Sequence, residues 1–159
     1  MKHPRTLIAA ALLALLSACA TTPAPTTIAD TAARTPQLST LSKLVADAGL
    51  SDTLRAAGPY TVFAPSDDAF KALPAKTLAE LAAGKQLLKA VLSYHVVPGK
   101  LLAADVKPGQ QKSLQGANLA LAKAGSFVTV EDALVQQADV PAANGVVHVI
   151  DRVLMPPKK

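Results

Sequence analysis

The sequence predicts an α+β fold with a mostly antiparallel sheet, on three observations. Apolar stripes at helical spacing crowd the first half, from Gln37 to Tyr94. Short β-rich runs punctuated by glycine and asparagine fill the second half, beyond Pro98-Gly99. Helices followed by strands, rather than strict alternation, is the order of an α+β domain. Half of the 159 residues are hydrophobic and 17% are charged, which supplies one core without disulfides.

The elements follow in chain order. "MKHPR" is a short basic start, and "TLIAAALLALL" is an apolar run too short to span a bilayer comfortably. "LSAC", Leu16 to Cys19, completes an export signal over residues 1–18. A lone cysteine after Leu-Ser-Ala resembles the bacterial lipobox, in which that cysteine becomes the lipidated first residue. The alternative is a plain secretory signal that leaves an unpaired thiol in an oxidising compartment, an uncommon arrangement. Stable anchoring takes more than one acyl chain, which is what the lipoprotein modification supplies. Ala20, not aspartate, follows the cysteine; in a Gram-negative cell the resemblance then implies the outer membrane.

Residues 19–36, "CATTPAPTTIADTAARTP", read as a Thr/Pro/Ala-rich tether, and residues 37–156 as the folded domain. Leu41, Leu44, Val45 and Ala48 share a helical face, with Ser39 as N-cap and Gly49 as the stop. "SDTLRAA" is a second short helix and "YTVF" a strand. Ser66 caps a further helix, with Asp67 and Asp68 in its first turn. Pro74 suits the first position of "PAKTLAELAA", and Leu87, Leu88, Val91 and Leu92 stripe the helix that runs into Tyr94-His95. "KSLQ", "NLALAK", "FVTVED", "ALVQQADV" and "GVVHVIDRVLM" are the expected strands.

Composition excludes several functions. The net charge is +5, and loss of Lys2 and Arg5 with the leader lowers it to +3. The remaining lysines are scattered and do not interleave with aromatics, so nucleic acid is not an expected partner. Gly-x-Gly-x-x-Gly and Walker sequences are absent, and no cofactor is expected. Ser66, Ser93, Ser113 and Ser126 lie outside any Gly-x-Ser-x-Gly. Asp67 and Asp68 are adjacent and point apart, which suits a helix N-terminus better than a metal. His95 and His148 have neither His-x-x-x-His spacing nor a cysteine pair, so no metal site is expected. In "NGVVHVIDRVLM" apolar residues occupy both faces, which makes a central strand. His148 there must find a hydrogen-bond partner or cost about 1–3 kcal/mol. His95, before Val96-Val97, is in a similar position, and both read as bonded structural rings.

Three blocks stand in order: "GPYTVFAPSDDAF", "LSYHVVPGK" and "ADVPAANGVVHVIDRVLMP". They resemble the fasciclin-like domain, FAS1, and "LSTLSKLVADAGLSDTLRAA" resembles its opening helices. The resemblance spans about residues 37–156. It implies a wedge-shaped, two-sheet β-core with N-terminal helices packed against it, and extracellular adhesion or interaction rather than catalysis. Its Tyr-His motif falls on Tyr94 and His95, with the histidine as an organiser of the core. Its Asp-Ile adhesion pair falls on Asp139-Val140, where valine replaces isoleucine.

The expected function is therefore a membrane-anchored, monomeric, non-catalytic interaction module. Its partner would be a protein or polysaccharide of the cell surface, matrix or envelope. The alternative is a small-ligand or enzymatic envelope protein using a pocket near His95, and a purely structural envelope protein is a third class. A convergent polar pocket at His95 would favour the second. An exposed patch at Asp139 with no deep pocket would favour the first.

Overall fold

The structure, a computed structural model, describes residues 26–157. The expected signal, Cys19 and the tether up to residue 25 lie outside the described residues. From Ile28 the tether reading is corrected: Ile28–Arg34 is a helix, α1. Thr27 caps it, accepting from the Asp30 N–H and donating to the Asp30 carboxylate at 2.8 Å. Ile28, Thr31 and Ala32, spaced i, i+3, i+4, are buried. The Thr/Ala/Pro-rich composition hid this short amphipathic period, and the packed domain begins upstream of residue 37.

A 3-10 turn at Pro36–Leu38 leads into α2, Ser39–Asp47. Ser39 is the first helical residue rather than the cap. The cap is Asp67, which accepts the Thr40 N–H at 2.8 Å and the Ser39 hydroxyl at 2.7 Å. Partial burial works against the Asp67 charge, but these bonds outweigh it and hold the carboxyl below its ordinary range. Gly49, at φ 70°, ends α2 as expected. Then come α3 (Ser51–Arg55), α4 (Asp67–Lys71, capped by Ser66), α5 (Ala75–Ala83) and α6 (Lys85–Tyr94).

The strands are β1 (Tyr60–Pro65), β2 (Val96–Pro98), β3 (Gly109–Lys112), β4 (Asn118–Ala124), β5 (Phe127–Val130), β6 (Ala133–Ala142) and β7 (Gly145–Ile150). The strand expected at "KSLQ" lies earlier. Ser113 instead starts a turn, and its N–H and hydroxyl both donate to the Ala117 carbonyl. The strand order is β2-β1-β7-β6-β5-β4-β3, antiparallel except for β1 beside β7. The two halves of the wedge share β6, a ten-residue strand whose register shifts twice along β7.

One sheet face and the helices enclose a core of Leu41, Val45, Val62, Val147 and Val149 with Leu88, Val91 and Leu92 of α6. A second core gathers Phe63 and Ile150 of β1 and β7 with Leu119, Leu121, Val128 and Val130 of β4 and β5. Residues from strands so far apart in the order share one cluster because the sheet curls at β6. β7 carries apolar residues on both faces because it is buried between these cores.

Candidate functional site

His95 stops α6. Its ring is 1% exposed; Nδ1–H donates to the Val91 carbonyl at 2.7 Å, and Nε2 accepts the Leu154 N–H at 2.9 Å. The first bond spans one helical turn and fixes the tautomer. The second ties the end of α6 to the segment beyond β7. Burial pushes the imidazole pKa down to about 4 against the opposing pull of the Val91 carbonyl, so the ring is neutral at pH 7. Tyr94 faces the second core, and its hydroxyl donates to the Asn118 carbonyl at 3.0 Å, with Glu131 Oε1 at 3.4 Å. Burial and then the Glu131 carboxylate raise the phenol pKa. Tyr94 and His95 thus fasten one helix end to opposite parts of the β-structure.

His148, on β7, uses the opposite tautomer. Nε2–H donates to the Leu101 carbonyl at 2.7 Å, and Nδ1 accepts the Asp139 N–H at 3.2 Å. The ring stacks on Phe63, with centroids 5.6 Å apart. Desolvation lowers its pKa, partly offset by the Leu101 carbonyl and the Asp139 carboxylate.

Asp139 sits in a β-bulge. Gln137 pairs with Val149 and Val140 with Val147, so two residues of β6 oppose His148 alone. Asp139 adopts φ 57°, a left-handed conformation that aspartate tolerates better than most residues. Its side chain is 43% exposed, and Oδ1 accepts the Ala103 N–H at 2.8 Å. Val140 is half-buried against the first core. The aspartate is thus at the surface, in a tight mount shared with His148 and the segment 101–103, and the valine leans inward.

Five contributors to this architecture escaped sequence reasoning. Asn144 read only as turn punctuation, yet its Oδ1 accepts the Ile28 N–H at 2.9 Å. Its Nδ2 donates to the Leu54 and Ala56 carbonyls at 2.7 and 2.8 Å. One amide therefore clamps α1, the end of α3 and the β6–β7 turn. Leu101 and Ala103 act through backbone atoms, which no side-chain motif signals. Thr27 and Asp30, three apart before an apolar face, did carry a capping signature for α1.

Between α1, α2, α3 and the sheet lies a cavity of about 160 Å³ that reaches His95. Its lining is mostly apolar, so it is not the convergent polar pocket an enzymatic reading asks for. Among the described residues no cluster of three or more His, Cys, Asp or Glu is placed to hold a metal.

The fasciclin domain family model matches residues 36–156. The chain is 47% identical over 140 residues to "Protein sll1483" of Synechocystis, covering 87% of this chain and 78% of that one. It is 42% identical over 135 residues to "Immunogenic protein MPB70" of Mycobacterium bovis, covering 82% and 69%. Over the same length it is 41% identical to "Cell surface glycolipoprotein MPB83" of that species, covering 82% of this chain and 60% of that one. A solved FAS1 domain pair from the insect cell adhesion molecule Fasciclin I superposes with a TM-score of 0.65 at 18% identity, over 82% of this chain and 51% of that one. The helices laid on a curled sheet, the Tyr94-His95 pair at the end of α6 and these matches agree: the chain belongs to the fasciclin domain family.

Proposed function

We propose that the protein is an exported, non-catalytic interaction module, held to the cell envelope by lipid on Cys19. Its partner is a protein or polysaccharide of the envelope, cell surface or matrix. The observation that carries this reading is the commitment of the chemistry-bearing side chains to the fold. Both described histidines spend both ring nitrogens on backbone partners, and no buried side-chain polar atom among the described residues lacks a partner. Nothing in that set is left to abstract a proton or attack a bond, so function falls to the surface. The names of the mycobacterial relative and the insect neighbour, a cell-surface glycolipoprotein and an adhesion molecule, support the same direction.

The contact surface is assigned to the Asp139-Val140 bulge. A partly exposed carboxylate is held there in one orientation, so little side-chain entropy remains to be lost on binding. Retention of the full chain on washed envelope fractions tests this. Asp139→Asn removes the charge while keeping the oxygen that Ala103 uses and a residue type that tolerates the backbone. Combined with Val140→Ser, it is expected to reduce retention. Retention equal to that of the unmodified chain would move the contact surface elsewhere.

A further inference from the structure

We propose that the cavity beneath α1, α2 and α3 is a binding site for a small uncharged apolar molecule, the size of one benzene ring or a short alkyl chain. Its volume, about 160 Å³, is close to that of an engineered apolar cavity of about 150 Å³ that stays dry and takes up benzene. Leu41, Val45, Leu54 and Leu92 supply walls from three helices, and Val62 and Val147 of β1 and β7 supply the sheet floor. A well-packed core leaves few voids larger than a water molecule; this space opens at exposed Ala33, Ala46, Thr53 and Arg55 and runs inward to Val62 and Val147 of the first core. Five alanines line it, and at Ala29, Ala32 and Ala64, the less exposed of them, a larger side chain would take up part of the space.

The chemistry of the lining selects the ligand. His95 reaches the cavity, but Val91 and Leu154 occupy its two nitrogens, so it offers no free donor or acceptor. A buried charge on the ligand would therefore lose its water without gaining a partner. At the rim stand Ser42, Ser51, Thr53 and Arg55. The Arg55 guanidinium faces Asp30 at 3.4 Å, so an acidic group already balances the one basic group of the lining. A ligand hydroxyl meets the Ser42, Ser51 and Thr53 side chains at this mouth, whereas the one lining cation is already paired with Asp30.

Asp139 does not line the cavity, so this site and the proposed contact surface are tested separately. The full chain is titrated with benzene, 1-hexanol and hexanoate and followed by amide NMR shifts and thermal melting. Saturable shifts confined to lining residues such as Val45, Leu54, Val62 and Val147 are expected, with a rise in Tm. Hexanoate should bind at least about tenfold more weakly than 1-hexanol, because its charge must be desolvated. Ala32→Leu fills the cavity and should weaken benzene binding by at least about tenfold. Ser42→Leu, at a half-buried rim position, gives the same reading if Ala32→Leu does not fold. Shifts that stay linear to the solubility limit, or that survive in the folded filling variants, would overturn the site. Hexanoate binding as tightly as 1-hexanol would overturn the assignment of an uncharged ligand.

Discussion

Leu154 and His95 are 59 positions apart, and the backbone N–H of Leu154 donates to Nε2 of the fully buried imidazole at 2.9 Å. This bond closes the molecule by joining the segment after the last strand to the helix that carries the Tyr-His pair. His95→Ala would orphan the Leu154 N–H and leave a void beside an existing cavity. A loss on the order of 2–4 kcal/mol is expected in denaturant melts of the full chain. A change below about 0.5 kcal/mol, the size of an ordinary surface effect, would return His95 to the class of functional residues.

The same ring makes stability depend on pH. Its folded pKa of about 4 lies below its ordinary 6.5, so between those values the unfolded chain binds more protons. The stabilisation is therefore fully present above pH 6.5 and is lost as pH falls toward 4. His148 is shifted in the same direction, chiefly by burial, and adds to the trend. From pH 7 to pH 5 the His95 contribution should fall by about 2 kcal/mol. Urea midpoints across that interval measure it, and a flat profile would contradict the buried, neutral ring.

Asp139 is expected to distinguish alanine from asparagine. Alanine loses the acceptor for the Ala103 N–H and is strained at φ 57°. A cost of about 1–2 kcal/mol is expected. Asparagine keeps an oxygen and tolerates the left-handed backbone, so its cost should stay within about 0.5 kcal/mol. Equal effects of the two substitutions would show that neither the bulge nor the Ala103 bond is maintained in solution.

Helix α1 should prove integral to the domain. Ile28 is 1% exposed, and its truncation to alanine should cost about 2–5 kcal/mol. Asn144→Ala, which strips three hydrogen bonds at once, should cost about 2–4 kcal/mol. Because both act on the seating of α1, the double variant should lose less than the sum of the two. Strict additivity, or a stable chain after deletion of residues 26–35, would place α1 outside the cooperative unit.

Lipidation at Cys19 has a direct test. Intact mass of the protein isolated from its producing cell should correspond to a chain that starts at Cys19 and carries acyl groups. An unmodified thiol, or a different first residue, would remove the anchor from the proposed function.

The α+β class, most element boundaries, and the buried, hydrogen-bonded setting of both histidines were legible in the sequence. Those properties rest on local information: apolar period, capping residues such as Ser66, the stop at Gly49, and two imidazoles set beside valines in apolar runs. It also carried the family, through three blocks in order. Tertiary structure alone decided what depends on atoms brought together from distant positions. Asp67 caps a helix 27 positions upstream, Asn144 clamps α1 from 116 positions away, and His148 selects a bulge so that the Asp139 N–H has a partner. The curl of the sheet at β6 and the cavity beneath the helices belong to the same class. A void is the space that several side chains fail to fill together, and no residue in the sequence carries that information alone.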